Sequence, residues 1–303
     1  MWQRRDLKTN AKQHLTRKYW QAFAVSLIVG FLSGNPRLLS IDYRLNADDL
    51  RSILENHQAV PFFHLFWFNR FFQGHRAYFS FFLLIIFIFM GMLSIAYKIF
   101  VSSVVEVGGD RWFSRNRESE AIPSIGLVFS LFKAPHYLKT VLSQLWKNLF
   151  LFLWRLPAAV PLLSGLIWGA VHRAELKKSD NWFYMVLLIM LSSALLSLPA
   201  IIKFYSYRLT PWILADHPEI GYRRALKLSI AMTQGHKWAM FILDLSFVGW
   251  YLLGLLACGL GVLFVRPYYL AAQSELYAQL RYLGVQNHLC TMEELGFFPV
   301  GKG

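Results

Sequence analysis

Eight ionisable side chains lie inside or beside long apolar stretches, and these are the residues best placed to do chemistry. They are Lys98, Glu106, Lys147, Arg155, Lys203, Asp244, Arg266 and Glu275. A charge in lipid is costly, so such groups usually pair with one another or face a protected interior. The sequence therefore predicts an intramembrane polar network made from members of this set.

Asp244 carries the sharpest signal, because it lies within the apolar string FILDLSFVGW. We expect it to pair with a cation from another helix, and Arg155, Lys203 and Lys98 are the candidates. Such a pair would line a path for a substrate or protons, or it would lock two helices together. In a third interpretation, Asp244 is hydrated near the inner surface. Lysines and arginines at inner helix ends, such as Lys203, Arg208 and Arg266, are expected to snorkel.

The chain shows no motif of a familiar enzyme. It has no HExxH, no GxSxG, no Walker lysine loop and no credible Ser/His/Asp set. Its nine histidines have no ligand spacing, and Cys258 and Cys290 predict neither a disulfide nor a zinc site. We therefore expect a non-enzymatic protein without a cofactor or metal.

Long uncharged stretches fix the class of protein. Residues 77–97 read AYFSFFLLIIFIFMGMLSIAY, and residues 181–202 read NWFYMVLLIMLSSALLSLPAII. About 20 mostly apolar residues cross a hydrocarbon core as a helix, with every backbone group bonded internally. The composition agrees, with 56% hydrophobic and only 16% charged residues. The sequence predicts an all-α, multi-pass membrane protein.

We predict a polytopic bundle of about six transmembrane helices. The predicted spans are 19–33, 78–107, 143–170, 182–203, 238–255 and 261–280. The last two come from one apolar stretch, Trp238–Val265, in which Gly254, Gly259 and Gly261 favour a tight hairpin. A single long tilted helix is the alternative, and it would give five spans with the tail outside.

The net charge of +14 fits a cytoplasmic face near anionic lipid better than nucleic acid, for which no motif is present. The dense basic segment 4–18 predicts a cytoplasmic N-terminus and an amphipathic in-plane helix, since Leu7, Ala11 and Leu15 recur at helical spacing. Residues 35–76 are expected to form an outer loop with an aromatic interfacial segment.

Two further cytoplasmic surface helices are predicted. One covers 124–139. The other is capped by Asp216 and ends at Gly235. Gly108-Gly109 is expected to end the second span.

Three places share a basic surface segment followed by an aromatic cluster and an apolar span. This pattern suggests a three-fold repeat of a surface helix plus a hairpin, with units 1–117, 118–217 and 218–282. The alternative is that all inner span starts look alike. In either case residues 1–282 are expected to form a single transmembrane helical domain, followed by a cytoplasmic tail at 283–303.

Six strings together resemble one bacterial integral membrane family, that numbered 975 among the domains of unknown function. They are LKTNAKQHLTRKYWQAFAVSLI, VGGDRWFSRNRESEA, LFKAPHYLKTVLSQLWKNLFLFLW, LPAIIKFYSYRLTPWILADHPE, and KWAMFILDLSFVGWYLLG with VRPYYLAAQSELYAQLR. The long loop 35–76 and the added segment 157–198 depart from the family's compact pattern. The family is similar to the membrane portion of some glycerophosphodiester phosphodiesterases, which implies lipid-linked envelope work and transfers no catalytic residue.

The leading expectation is a non-enzymatic accessory protein of the bacterial cytoplasmic membrane that binds lipid or another membrane protein. Anionic headgroups on the cytoplasmic face are the expected lipid partners. The alternative is a transporter or export permease for an amphipathic lipid or peptide, with Asp244 in its path. A lipid-modifying enzyme is the third interpretation.

Overall fold

The computed structural model describes residues 2–16, 18–34, 76–133, 135–172, 182–256 and 259–295, and every regular element in those ranges is helical. The α-helices are α1 (Arg4–Thr16), α2 (Tyr19–Leu32), α3 (Arg76–Tyr97), α4 (Ser103–Glu118), α5 (His136–Val171), α6 (Trp182–Ser206), α7 (Thr210–Asp216), α8 (Tyr222–Thr233), α9 (Lys237–Leu256) and α10 (Gly261–Gln286). A π-helical turn, Lys98–Ser102, joins α3 to α4, and 3-10 helices cover Ile125–Phe132 and Glu293–Leu295. The all-α prediction is confirmed.

Several predicted features lie outside the described residues. They are the outer loop 35–76 except for its last residue, residues 173–181 between the third and fourth predicted spans, Cys258 and the end of the tail at 296–303.

Four helical stretches are long and apolar enough to cross a membrane. They are Phe81–Glu118, His136–Val171, Trp182–Asp216 and Lys237–Leu256. Tyr19–Leu32 is a shorter apolar helix. The predicted sixth span is helical, but α10 is less apolar because charged and polar residues such as Arg266, Glu275 and Arg281 interrupt it. Four candidate spans suit a multi-pass membrane protein, while the count of six stays a prediction.

The long apolar stretch after Trp238 forms two helices, α9 and α10, that pack against each other. Gly254 and Gly261 meet backbone to backbone, and a Cβ added to Gly254 would lie 2.7 Å from the amide nitrogen of Val262. Only glycine allows this approach. The chain therefore turns back here, as the hairpin interpretation predicts, and the single long helix does not form.

The tightly packed core is built from α1, α2, α4, α7, α8, the 3-10 helix Ile125–Phe132, one side of α9 and the polar half of α10. Its largest fully buried side chains include Trp112, Phe113 and Tyr277. The predicted apolar face of α1 is buried as expected, through Leu7, Ala11 and Leu15, and it packs against α10. The position of α1 at a membrane surface stays a prediction.

The most apolar helices lie largely outside this core. Every residue of α3 from Phe81 to Ile95 is exposed. The helices α5 and α6 pack mainly against each other, with Gly165 facing the Ile189 side chain, and the Ser193 hydroxyl donates to the Ala158 carbonyl at 2.7 Å. An apolar exterior of this kind is stable in lipid and would be a liability in water.

The predicted break at Gly108-Gly109 is wrong, because α4 runs through both glycines to Glu118. A Cβ on Gly108 would collide with the carbonyl of Val128, and one on Gly109 would lie 2.8 Å from the Val29 side chain. The glycines therefore let α4 pack closely against its neighbours. This keeps residues 110–118 helical within the bundle.

The predicted surface helix 124–139 is also wrong as one element. A 3-10 helix occupies Ile125–Phe132, and α5 begins at His136 after Pro135, which has no amide hydrogen to continue a helix ladder. Val128 and Leu131 are fully buried. This segment is therefore part of the core.

Asp216 does not cap the helix before Gly235. It is the last residue of α7, and the next helix, α8, begins after Gly221, whose φ of 79° requires glycine. The predicted end near Gly235 is close to the observed end of α8 at Thr233.

The described part of the tail folds back onto the core, since Cys290 and Leu295 are buried. The three-fold repeat stays a prediction.

Candidate functional site

Asp244 lies in a closed polar cluster between α9, α10 and the end of α6. Both carboxylate oxygens accept from the Arg208 guanidinium, at 2.5 and 2.8 Å. Tyr205 and Tyr269 donate their hydroxyls to the same carboxylate at 3.0 and 3.3 Å, and the Gln273 amide donates at 3.3 Å. The partner of Asp244 is thus Arg208, a residue that the sequence analysis expected only to snorkel.

A second ion pair stands where α3 joins α4. The Lys98 ammonium contacts Glu106 at 2.9 Å and donates to the Ser102 hydroxyl at 3.0 Å. Lys98 and Ser102 also donate to the Ser33 carbonyl at the end of α2, at 3.3 and 2.9 Å. These contacts hold the π-helical turn against α2.

Three more charged side chains lie close to that pair. Asp110 on α4 is within electrostatic reach of Glu106, of Lys147 on α5 and of Arg266 on α10. Lys147 and Arg266 in turn each lie within electrostatic reach of both Glu106 and Asp110. All three are half-buried. We call Asp110, Lys147 and Arg266 the open triad, since none of them makes a hydrogen bond or an ion pair with another described residue.

Sequence reasoning found most of this constellation but missed Asp110. It named Lys98, Glu106, Lys147 and Arg266, and the structure places the three cations within electrostatic reach of Glu106. It also named Asp244, which lies in its own cluster with Arg208. Asp110 was missed because it follows the two glycines that were expected to end the span. The signal that could have found it is its spacing from Glu106, which places both carboxylates one turn apart on a continuous helix.

The remaining predicted residues lie elsewhere. Arg155 is exposed on α5. Lys203 stands 4.8 Å from the centre of the Trp154 ring, a cation–π contact. Glu275 belongs to a different ion pair, with Arg117 at 3.1 Å and His14 at 3.5 Å. None of the three pairs with Asp244.

A buried network that the sequence analysis did not predict lies near the C-terminal end of α10. Arg281 of α10 donates to Asp216 at 2.8 Å and to Glu118 at 2.7 Å, and the Tyr277 hydroxyl donates to Asp216 at 2.7 Å. These contacts tie α4, α7 and α10 together. Their burial and the two hydrogen bonds that Asp216 Oδ2 accepts identify a structural network rather than a ligand site.

The C-terminal segment is held by a partly exposed ion pair. Arg224 of α8 donates to both oxygens of Glu294, at 2.5 and 2.9 Å. The hydrogen bonds from Arg224 lower the pKa of Glu294 below its usual range. Burial raises the pKa of the nearby Cys290 thiol, helped by the negative charge of Glu294. Cys290 is therefore a packed, unreactive thiol.

Comparison with known proteins gives one match. The model of a family described as "Protein of unknown function (DUF975)" matches residues 1–283. The chain belongs to the DUF975 family. No curated protein and no solved structure matches it. The resemblance drawn from the sequence strings is confirmed.

The DUF975 match includes every residue of the charged constellation, so its chemistry lies within the family region. Within the described ranges, no three His, Cys, Asp or Glu side chains come together as a metal site. The open triad combines two cations with one carboxylate. Such a set can hold an anion at Lys147 or at Arg266 while Asp110, which lies within electrostatic reach of both, accepts from a donor on the same molecule.

Proposed function

We propose that this membrane protein binds an amphipathic lipid, with the headgroup at the open triad, and that it does so without catalysing a reaction. The observation that carries the proposal is the triad itself: Asp110 lies within electrostatic reach of Lys147 and of Arg266, yet none of the three has a direct partner among the described residues. Isolated charges within a membrane bundle are expensive and mark sites that meet another polar group.

The composition of the triad indicates the headgroup. An anionic group such as a phosphate would bind Lys147 or Arg266, and a hydroxyl or ammonium of the same headgroup would donate to Asp110. The surrounding apolar helices suit acyl chains, since α3 and much of α5 and α6 are exposed. A lipid headgroup that carries both a phosphate and a donor therefore fits the site best.

The placement of the protein in the cell belongs to the same proposal. We assign it to the bacterial cytoplasmic membrane with its N-terminus in the cytoplasm. The dense basic segment from Arg4 to Lys18 supports this orientation, because lysine and arginine next to a first span favour the cytoplasmic side.

Native mass spectrometry of the protein extracted with its surrounding bilayer tests the function. We expect a retained lipid that is depleted about tenfold by Lys147→Gln or Arg266→Gln, since each removes a charge-assisted hydrogen bond. Arg155→Gln is the matched control, because Arg155 lies on the same helix as Lys147 but is exposed. Retention of neither lipid nor protein would contradict the proposal. A stoichiometric protein without lipid would instead make the chain an accessory subunit.

A transporter or export permease for an amphipathic substrate is the second candidate. It is favoured by the π-helical turn at Lys98–Ser102 beside the triad, since such turns are frequent at functional sites. If transport is the function, Asp110→Asn will keep the fold and abolish lipid flux in liposomes. Flux that equals that of empty liposomes for the wild-type protein would count against this candidate.

A further inference from the structure

A cavity lies between α1 and α9, and none of the open triad residues lines it. Its volume is about 620 Å³. The side chains that α1 and the preceding residues contribute are Trp2, Gln3, Arg4, Arg5 and Lys8, and α9 contributes Ala239, Ile242 and Ser246. Three of the eight lining residues are cations, and none of these eight described residues carries a carboxylate. The cavity therefore attracts anions.

Lys8 lines the cavity and connects α1 to α9. Its ammonium donates to the Ser246 carbonyl at 3.1 Å and lies 4.4 Å from the centre of the Phe247 ring. Burial, followed by the positive charges of Arg4 and Lys12, lowers the pKa of Lys8. No described carboxylate forms an ion pair with Lys8 that would offset the repulsion from these positive charges.

The cavity also holds unused hydrogen-bond donors. The indole nitrogen of Trp2 is buried and donates to no described residue. Arg4 and Arg5 are exposed and form no ion pair within the described ranges. Buried donors normally find a partner, so an indole N–H beside two arginines points to an acceptor outside the described residues.

The other wall of the cavity is apolar. Ala239 and Ile242 line it, and Leu245 and Trp238 on the same helix are exposed. A ligand with one anionic end and one hydrocarbon end would satisfy both walls. Arginine recognises phosphate with paired hydrogen bonds, which favours phosphate as the anionic group.

We propose that the cavity between α1 and α9 binds the phosphate headgroup of an anionic phospholipid, with an acyl chain along α9. The phosphate accepts from Arg4, Arg5 and the Trp2 indole. The acyl chain packs on Ile242 and Leu245. This site is separate from the open triad, and it stands whether or not the triad binds a lipid.

The test uses the full-length protein in micelles and measures binding of phosphatidylglycerol, phosphatidylcholine and inorganic phosphate. We expect phosphatidylglycerol to bind more tightly than phosphatidylcholine. The double variant Arg4→Gln/Arg5→Gln should bind phosphatidylglycerol about thirtyfold more weakly. Trp2→Phe keeps the apolar ring and removes only the donor, so a smaller loss is expected.

The matched control is Arg223→Gln/Lys227→Gln, which removes the same charge from exposed positions on α8. Equal losses in both double variants would overturn the proposal, because they would show attraction to net charge only. Binding of inorganic phosphate as tight as that of phosphatidylglycerol would overturn the lipid assignment. Variants of Lys147 and Arg266 should leave this site unchanged, so failure here and failure at the triad are distinguishable.

Discussion

The guanidinium of Arg208 donates to both carboxylate oxygens of Asp244. The acid that the sequence analysis singled out is therefore fully hydrogen-bonded. Two tyrosines and a glutamine fill the remaining positions around the carboxylate. This cluster joins the end of α6 to α9 and α10. The geometry favours the helix-locking interpretation of Asp244 and leaves the open triad as the better place for a ligand.

Breaking the Arg208–Asp244 pair should destabilise the protein. We expect Asp244→Asn to lower the free energy of unfolding by about 3 kcal/mol, because a poorly hydrated arginine loses its counter-ion. Thermal unfolding in detergent measures the change. The double variant Arg208→Met/Asp244→Leu should lose less than the sum of the single changes. If Lys203→Gln were as damaging as Arg208→Gln, the pairing would be incorrect.

The α9–α10 turn should be intolerant of a side chain at Gly254. Gly254→Ala places a methyl group against the backbone of Gly261 and Val262, and we expect a loss of about 1–3 kcal/mol. Gly249 is on the same helix, and a Cβ there would meet no described atom within 4 Å. Gly249→Ala should therefore be neutral or stabilise by up to about 1 kcal/mol. Equal melting temperatures for the two variants would rule out the close approach.

The Arg224–Glu294 pair should make the C-terminal segment sensitive to acid. Because the folded-state pKa of Glu294 is lowered, its contribution is present above the unfolded-state pKa and is lost as the pH falls through the folded-state pKa. The pair is partly exposed, so we expect less than about 1 kcal/mol. The difference in free energy of unfolding between the wild type and Glu294→Gln, measured from pH 7 to pH 3, should fall to zero in acid. Glu293→Gln, an exposed neighbour, should show no such trend.

Lys18 should be needed to close the end of α4. Its ammonium donates to the carbonyls of Asn116, Ser119 and Ala121 at 3.3, 2.6 and 3.4 Å. Removing this donor leaves carbonyls at a helix end unsatisfied, so Lys18→Met should cost about 2 kcal/mol. Proteolysis between residues 118 and 125 should accelerate in parallel. Lys12→Met is the control, since the Lys12 side chain makes a cation–π contact with Tyr268 and no hydrogen bond to a described residue. A similar effect there would contradict the assignment.

The sequence predicted the position of a helix correctly where one physical requirement within that segment determined its structure. The apolar stretches, the buried face of α1 and the turn near Gly254 were predictable, because lipid exposure and helical periodicity act within one segment. The predictions failed at Gly108-Gly109 and Asp216. At both places a contact with a distant element decides the local structure, namely packing against Val128 and hydrogen bonds from Tyr277 and Arg281.

The sequence by itself determined the family, the helical membrane class and a short set of charged candidates. Those properties depend on composition and on patterns along the chain, which need no knowledge of which helices meet. Only the tertiary structure decided that Asp244 pairs with Arg208 and that Asp110 joins Lys147 and Arg266. Pairing of charges depends on distances between helices far apart in sequence, and packing of the whole bundle sets those distances.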